Sequence, residues 1–199
     1  MLSFALAVFL LLITPGPGVL TAAGVGAAFG RRTGTQYIAG LFIGNNLVTL
    51  MVISGAVAIA LAIPVFRNIL LVLSVAYLVY LAFRIAFAGA RIAITSAKNR
   101  PGFFSGVALQ IINPKAYAVN TTLFTGFAFL PESLMLETLI KLVILNAIWI
   151  PIHLLWLYAG ITINRLEFEP GLQFKINLAM AGALLVVVAW PYVRRCSRV

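Results

Sequence analysis

The sequence predicts an all-α, polytopic membrane protein of six transmembrane helices, built as two inverted three-helix repeats. Three observations predict it: a nearly uncharged, apolar composition, six apolar stretches of membrane-crossing length, and a proline-broken segment at matching depth in the first helix of each half. Hydrophobic residues make up 63% of the chain and charged residues only 9%, whereas a soluble domain carries about 25% charged residues. A chain this poor in charge cannot cover a globular surface with solvated groups. Lipid must solvate most of it.

A helix needs about 20 apolar residues to cross the hydrocarbon. The first stretch runs from about Leu2 to Ala28 and is interrupted by Pro15-Gly16-Pro17-Gly18. It is too long for the apolar region of a signal peptide and lacks a basic leader segment, so it reads as a mature helix. The second runs from about Tyr37 to Ile63 and stops at Pro64, and the third from about Asn68 to Ala88. The fourth covers about Phe103 to Leu130, the fifth Leu134 to Ile163, and the sixth Phe174 to Val193 before the basic tail Arg194, Arg195 and Arg198. The connections are short, which makes residues 1–199 a single membrane domain with pseudo-repeats over about 1–90 and 101–195.

Fourteen Lys and Arg stand against four acids, all glutamates. The cations are scattered between apolar blocks and form no single face, so they read as juxtamembrane charges that meet lipid headgroups, and nucleic acid is not an expected partner. Eight cations flank one side of the expected topology and five the other, which favours both termini outside, although the basic carboxyl tail argues the other way. One cysteine (Cys196), one histidine (His153) and no aspartate exclude an intramolecular disulfide, a thiolate metal cage and most metal or acid–base catalysis. No enzyme activity, metal or cofactor is expected.

The segments most at odds with helical rules are Thr14-Pro15-Gly16-Pro17 and Asn113-Pro114-Lys115. Proline removes a backbone donor and clashes with the carbonyl four residues back, and it pushes the preceding residue toward extended geometry. Both helices should therefore unwind near mid-membrane, which lipid tolerates only where the backbone is buried or lines a wet cavity. Prolines also occur in membrane helices as plain packing kinks. The two sites here lie 99 residues apart, about half the chain, each in the first helix of its half. Three helices per half would turn the second half upside down, and interrupted helices in matching positions of inverted repeats point to a transporter's midplane site. Lys115 sharpens that reading, because a cation near mid-helix costs about 2.5–3.5 kcal/mol even on the gentler insertion scale and usually marks a pathway. The alternative for Lys115 is snorkelling to an interface.

These segments, with the run Ala76-Tyr77-Leu78-Val79-Tyr80-Leu81 in the third helix, resemble the LysE/RhtB family of amino-acid exporters. The resemblance spans nearly the whole chain. It implies efflux of amino acids or close derivatives across a bacterial inner membrane by a secondary transporter without an organic cofactor. Two positions depart from the family pattern. Gly18 stands where members commonly carry Asn, and Gly44 is followed by Asn45 and Asn46 where many carry an acidic residue. Without that carboxylate a cationic substrate lacks a counter-ion, which favours a neutral zwitterion.

The expected substrate-binding residues are thus Thr14, Pro15, Gly16, Pro17, Gly18, Asn45, Asn46, Asn113, Pro114 and Lys115. Backbone amides and Lys115 would receive the substrate carboxylate, since half-helix N-termini carry partial positive charge, and Asn45 or Asn46 would contact its amino group. Gln110, Asn120, Thr121 and Thr122 read mainly as interhelical hydrogen-bonding residues, a role equally open to Asn45 and Asn46, and Asn146 lies near the repeat-equivalent position in the fifth helix. His153 reads as a structural histidine on a backbone carbonyl, with proton relay as the other reading. Trp149, Trp156, Trp190, Tyr158 and Tyr192 are expected to include interfacial anchors. Gly40 and Gly44 form a GxxxG spacing that lets helices approach closely; it leaves a homo-oligomer open. The alternatives to amino-acid export are a non-transporting membrane subunit or scaffold, and export of another small metabolite. Solute flux in liposomes discriminates them.

Overall fold

The computed structural model describes residues 1–14, 16–56, 58, 62–86, 100–165, 171, 174, 175, 178, 179 and 182. The expected sixth helix, the basic carboxyl tail and Pro15 fall largely or wholly outside the described residues. Six α-helices are described: α1 (Leu2–Ile13), α2 (Pro17–Ile53), α3 (Pro64–Ala86), α4 (Phe103–Ile112), α5 (Pro114–Thr125) and α6 (Leu134–Arg165).

Both expected breaks are present. The first apolar stretch is split into α1 and the start of α2, with Thr14 extended (φ −59°, ψ 124°) as the last cap of α1. The fourth is split into α4 and α5, with Asn113 extended (φ −80°, ψ 106°) between them. Each second piece begins with a proline at its first turn, where the missing N–H costs nothing because it would lack an intrahelical acceptor anyway.

Helix α2 holds two expected stretches in one 37-residue element, divided at Gly30 (φ +74°, ψ −172°). An L-residue with a side chain rarely adopts that φ, and there the chain folds back. Residues 26 and 34 would lie roughly 12 Å apart along one straight helix. Yet the α-carbons of Gly26 and Gly34 both face the same δ-methyl of Leu157. The second limb, residues 31–53, ends ten residues short of the expected end, capped at Ser54 and interrupted by Gly55 (φ +77°).

The limb after Gly30 packs on α4 with backbone against backbone. A Cβ on Gly40 would collide with the Phe103 carbonyl, and one on Gly106 with the Tyr37 carbonyl, so neither helix could carry a side chain at the crossing. The GxxxG spacing therefore serves a contact within the chain. Helix α6 lies along α2, and its buried Trp149, Leu157 and Ile161 join Ala22, Val25, Tyr37, Leu41, Leu81 and Leu109 in the main core. Helix α1 places Phe4 and Val8 against Val119, Leu123 and Leu145 of α5 and α6. The Tyr77 hydroxyl donates to the Ser105 carbonyl at 2.7 Å and ties α3 to α4.

Outward faces are apolar. Leu2 is 84% exposed, Phe104 82%, Met135 77% and Val143 69%, a density of exposed large side chains that a water-facing surface does not sustain. Pro17–Ile53 and Leu134–Ile163 are each long and apolar enough to cross a membrane. One cation departs from the juxtamembrane pattern expected of it. Lys141 is buried, paired with Glu137 at 2.7 Å one helical turn away. It also donates to the carbonyls of Phe124 and Phe127. Glu137 in turn accepts from the N–H groups of Phe129 (2.8 Å) and Leu130 (2.5 Å), so the pair pins the α5–α6 connection shut. Such burial is tolerable because every charge has several partners.

Candidate functional site

The two helix breaks meet. The Lys115 ammonium donates to the Thr14 carbonyl at 2.7 Å, bridging residues 101 apart in sequence. The Lys115 side chain lies directly over Gly16: a Cβ there would sit 2.7 Å from its Cδ and 2.8 Å from Nζ. The structure thus places the lysine inward, on the backbone carbonyl of the other break, and not in the snorkelling arrangement.

Backbone accounting explains how each break is held. In α4–α5, Pro114 deprives the Gln110 carbonyl of its helical donor, and the Asn113 N–H replaces it at 3.2 Å. The Asn113 Oδ1 accepts from the Lys115 N–H at 3.1 Å, capping α5, as asparagine commonly does at a helix start. The Ile111 carbonyl, whose helical donor is thereby diverted, accepts from the Tyr117 hydroxyl at 2.6 Å. In α1–α2, the Leu10 carbonyl takes both the N–H and the hydroxyl of Thr14. Proline at 15 and 17 removes the helical donors of the Leu11 and Ile13 carbonyls, and Gly16 caps α2 without a side chain.

A cavity of about 40 Å³, measured to the centre of a water-sized sphere, opens between the breaks. Its wall includes Leu11, Leu12, Thr14, Gly16 and Gly18 from the first break, Asn45 from the second limb of α2, and Gln110, Asn113 and Lys115 from the second break. Trp149 and His153 close it from α6. Of the ten residues expected at a binding site, Thr14, Gly16, Gly18, Asn45, Asn113 and Lys115 therefore line one cavity. Pro17 is buried beside it, Pro114 is exposed at the α5 start, and Pro15 lies outside the described residues.

Asn45 and Asn46 part company. Asn46 and Asn146 exchange two side-chain hydrogen bonds, at 3.1 and 3.0 Å, away from the cavity. Asn45 faces the cavity, and its Oδ1 accepts from Asn120 Nδ2 at 3.3 Å. The Asn120 amide is itself oriented by the Ala116 carbonyl, to which it donates at 2.8 Å. Among the described residues Asn45 Nδ2 is then a buried donor without an acceptor. Asn45 thus offers the cavity a donor, which suits a carboxylate better than the amino group expected for it.

Three wall residues had been read mainly as structural. Gln110 and His153 are both 3% exposed and Trp149 1% exposed. Trp149 is no interfacial anchor: it stacks on the His153 ring, with centroids 3.5 Å apart and planes within 12°. His153 does bond a backbone carbonyl, Nδ1 to Trp149 O at 2.9 Å, while its other nitrogen faces the cavity near Gly18. The signal available in the sequence was the i, i+4 spacing of Trp149 and His153, which puts both on one face of α6.

Among the described lining residues the only charged one is Lys115. The cavity is therefore cationic and hydrogen-bonding, with no carboxylate to receive a second cation. Among the described residues no cluster of metal-ligating side chains occurs.

The LysE type translocator family model matches residues 9–195. The cysteine/O-acetylserine efflux protein of Salmonella typhimurium (strain LT2) is 30% identical over 170 residues, covering 84% of this chain and 86% of that protein. The cysteine/O-acetylserine efflux protein of Escherichia coli (strain K12) is 29% identical over 169 residues, with the same coverage. No solved structure matches the chain. With a family match running almost from end to end, and relatives aligned over most of both lengths, the chain belongs to the LysE type translocators, a family of membrane transport proteins.

Proposed function

We propose that this translocator exports small neutral amino acids from the bacterial cytoplasm by alternating access around the cavity between its two helix breaks. The observation that carries the reading is the Lys115–Thr14 bridge, which joins the two proline-broken segments at one cationic cavity. A zwitterion fits what the wall presents. Its carboxylate goes to Lys115, to the Asn45 amide and toward the N-terminus of α5, and its ammonium toward the carbonyl end of α1, where prolines have removed the donors. A cationic side chain would find no partner among the described lining residues. The names of the relatives, cysteine and O-acetylserine efflux, agree with a small neutral substrate.

The binding residues in this proposal are Thr14, Pro15, Gly16, Pro17, Gly18, Asn45, Asn113, Pro114 and Lys115. Asn46 is placed differently, at the contact with Asn146. Two inverted three-helix units, over about residues 1–90 and 101–195, supply the alternating motion in a multi-pass inner-membrane protein. Two facts support the repeat: the matching breaks, and the reciprocal amide pair Asn46–Asn146, separated by 100 residues. A contact in which i meets j and j meets i in the same way is what a two-fold axis produces. Whether copies of the chain associate in the lipid bilayer is a separate matter that the transport cycle does not require.

The test is efflux from liposomes that contain the purified protein and a mixture of amino acids, read by mass spectrometry of the outer medium. Release of cysteine, serine and similar neutral amino acids, with lysine and arginine retained, is the expected result. Retention of the whole mixture, equal to protein-free liposomes, overturns amino-acid export and leaves a non-transporting subunit or another metabolite.

A further inference from the structure

Beside the carboxylate-binding part of the cavity lies a second polar corner formed by Gly18, Gln110 and His153. The hydrogen-bonding sense of both side chains is fixed by backbone, not by choice. Carbonyl oxygens only accept, so the 2.9 Å contact of His153 Nδ1 with the Trp149 carbonyl puts the hydrogen on Nδ1. With Lys115 in the same cavity and no carboxylate among the described lining residues, Nε2 carries a lone pair. The Gln110 amide is set by a relay. The Lys115 N–H donates to Asn113 Oδ1, so Asn113 must turn its Nδ2 to Gln110 Oε1, at 3.0 Å. Gln110 is then left with Nε2, a donor, on its far side.

Both unpartnered atoms converge on Gly18. A Cβ built there would lie 3.3 Å from His153 Nε2 and 3.6 Å from Gln110 Nε2. No described residue hydrogen-bonds either atom, and both residues are about 97% buried (3% exposed). The corner offers one acceptor and one donor to whatever stands over Gly18, and Trp149 holds the imidazole plane by stacking.

On the reading of this chain as an exporter of small neutral amino acids, we propose that this corner is the side-chain subsite, built for a hydroxyl or thiol. Such a group donates its hydrogen to His153 Nε2 and accepts from Gln110 Nε2, so it pairs both atoms at once. A methyl group pairs neither. An O-acetyl ester accepts but does not donate, and leaves His153 unpaired. The subsite therefore prefers serine and cysteine over their apolar isosteres, and over O-acetylserine, one of the two compounds for which the relatives are named. Glycine at position 18 provides the space for that group; a residue with a side chain there would occupy it.

Two isosteric pairs decide the matter in liposomes: L-serine against L-alanine, and L-cysteine against L-2-aminobutyrate, each measured as initial efflux rate at equal low concentration. The wild-type protein is expected to favour the hydroxyl or thiol member by about tenfold or more, since a buried donor and acceptor are otherwise left unpaired. His153→Leu and Gln110→Leu are each expected to bring the ratio to within about threefold, with the yield of folded protein in detergent close to wild type as the sign of a folded transporter. Equal wild-type efflux within both pairs overturns the subsite while leaving the exporter reading intact. A preference that survives both leucine variants also overturns it. No protein-dependent efflux of any of the four overturns the subsite together with the exporter reading.

Discussion

The two helix breaks solve one chemical problem in opposite ways. The α4–α5 break is satisfied from within: Asn113 caps α5, its N–H replaces the donor lost at Pro114, and the Tyr117 hydroxyl takes the Ile111 carbonyl. Among the described residues the α1–α2 break is provided for from within only at the Leu10 carbonyl, which takes the Thr14 N–H and hydroxyl. Gly16 caps without a side chain, and the Thr14 carbonyl is bonded from the other break, by Lys115. One break is a fixed platform, and the other is held by it through a single long side chain. In a lipid environment an unbonded backbone group costs several kcal/mol, so the borrowed partner is also the element whose release would let the first break change shape. On the proposed function, a substrate carboxylate arriving at Lys115 would compete for the same ammonium that holds Thr14.

The largest expected effect comes from removing that borrowed partner. Lys115→Ala should cut amino-acid efflux by about tenfold to a hundredfold, the range for losing a hydrogen bond to a charged group. Lys115 reaches from the first turn of α5 into the cavity wall and is only half-buried. The amount of folded protein recovered in detergent should therefore stay close to wild type. Efflux at wild-type rate would show that the first break does not depend on the second. A collapse in folded yield would instead make the lysine a structural clamp.

The two breaks themselves, though not their asymmetry, were legible in the sequence because their cause is local. Proline at 15, 17 and 114 dictates where helices break whatever surrounds them. The GxxxG spacing at Gly40 and Gly44 likewise announced a close crossing, now seen against Phe103 and Val107. What local rules could not supply was the partner. Asn45 and Asn46 are adjacent and chemically identical in the sequence. Only the packing sends one to the cavity and the other to Asn146. Nor could local rules single out Trp149 as the buried member of its aromatic set, because an indole in an apolar stretch looks the same whether it faces headgroups or a core. The early end of the second limb was hidden for a related reason. Ser54-Gly55 interrupts an apolar run without lowering its hydropathy, and the positive φ at Gly55 has no compositional trace.

A smaller effect should follow from breaking the self-sufficient platform. Asn113→Ala removes the cap of α5 and the only described partner of Gln110 Oε1. A lost N-cap costs about 0.5–2 kcal/mol, so thermal stability in detergent should fall measurably. Efflux should fall less than in Lys115→Ala, because the cation and its acceptor remain. Asn113→Asp separates the two duties of the side chain: it restores the cap acceptor but cannot donate to Gln110. Its stability should recover while discrimination between serine and alanine stays impaired. If Asn113→Ala proved more damaging to efflux than Lys115→Ala, the roles of platform and moving part would be reversed.

The smallest effect is expected at the contact that relates the halves without touching the cavity. Asn46 and Asn146 exchange two amide hydrogen bonds between the second limb of α2 and α6. Asn46 also keeps a bond to its own helix, Nδ2 to the Phe42 carbonyl at 2.9 Å. Polar pairs between membrane helices contribute about 0.6 kcal/mol on average, because each partner finds other bonds when the pair is lost. Two reciprocal bonds should therefore give a coupling of about 1 kcal/mol in a double-mutant cycle of Asn46→Ala and Asn146→Ala, read by unfolding in detergent. If a two-fold axis relates the two positions, the two single variants should lose similar stability and similar efflux, apart from the extra bond of Asn46 to Phe42. The symmetry argument lives in that equality. If Asn146→Ala were neutral while Asn46→Ala crippled transport, the pair would be an ordinary interhelical bond. The case for inverted repeats would then rest on the proline breaks alone. Equal losses with measurable coupling would place the Asn46–Asn146 contact on the axis about which the unequal breaks exchange their states.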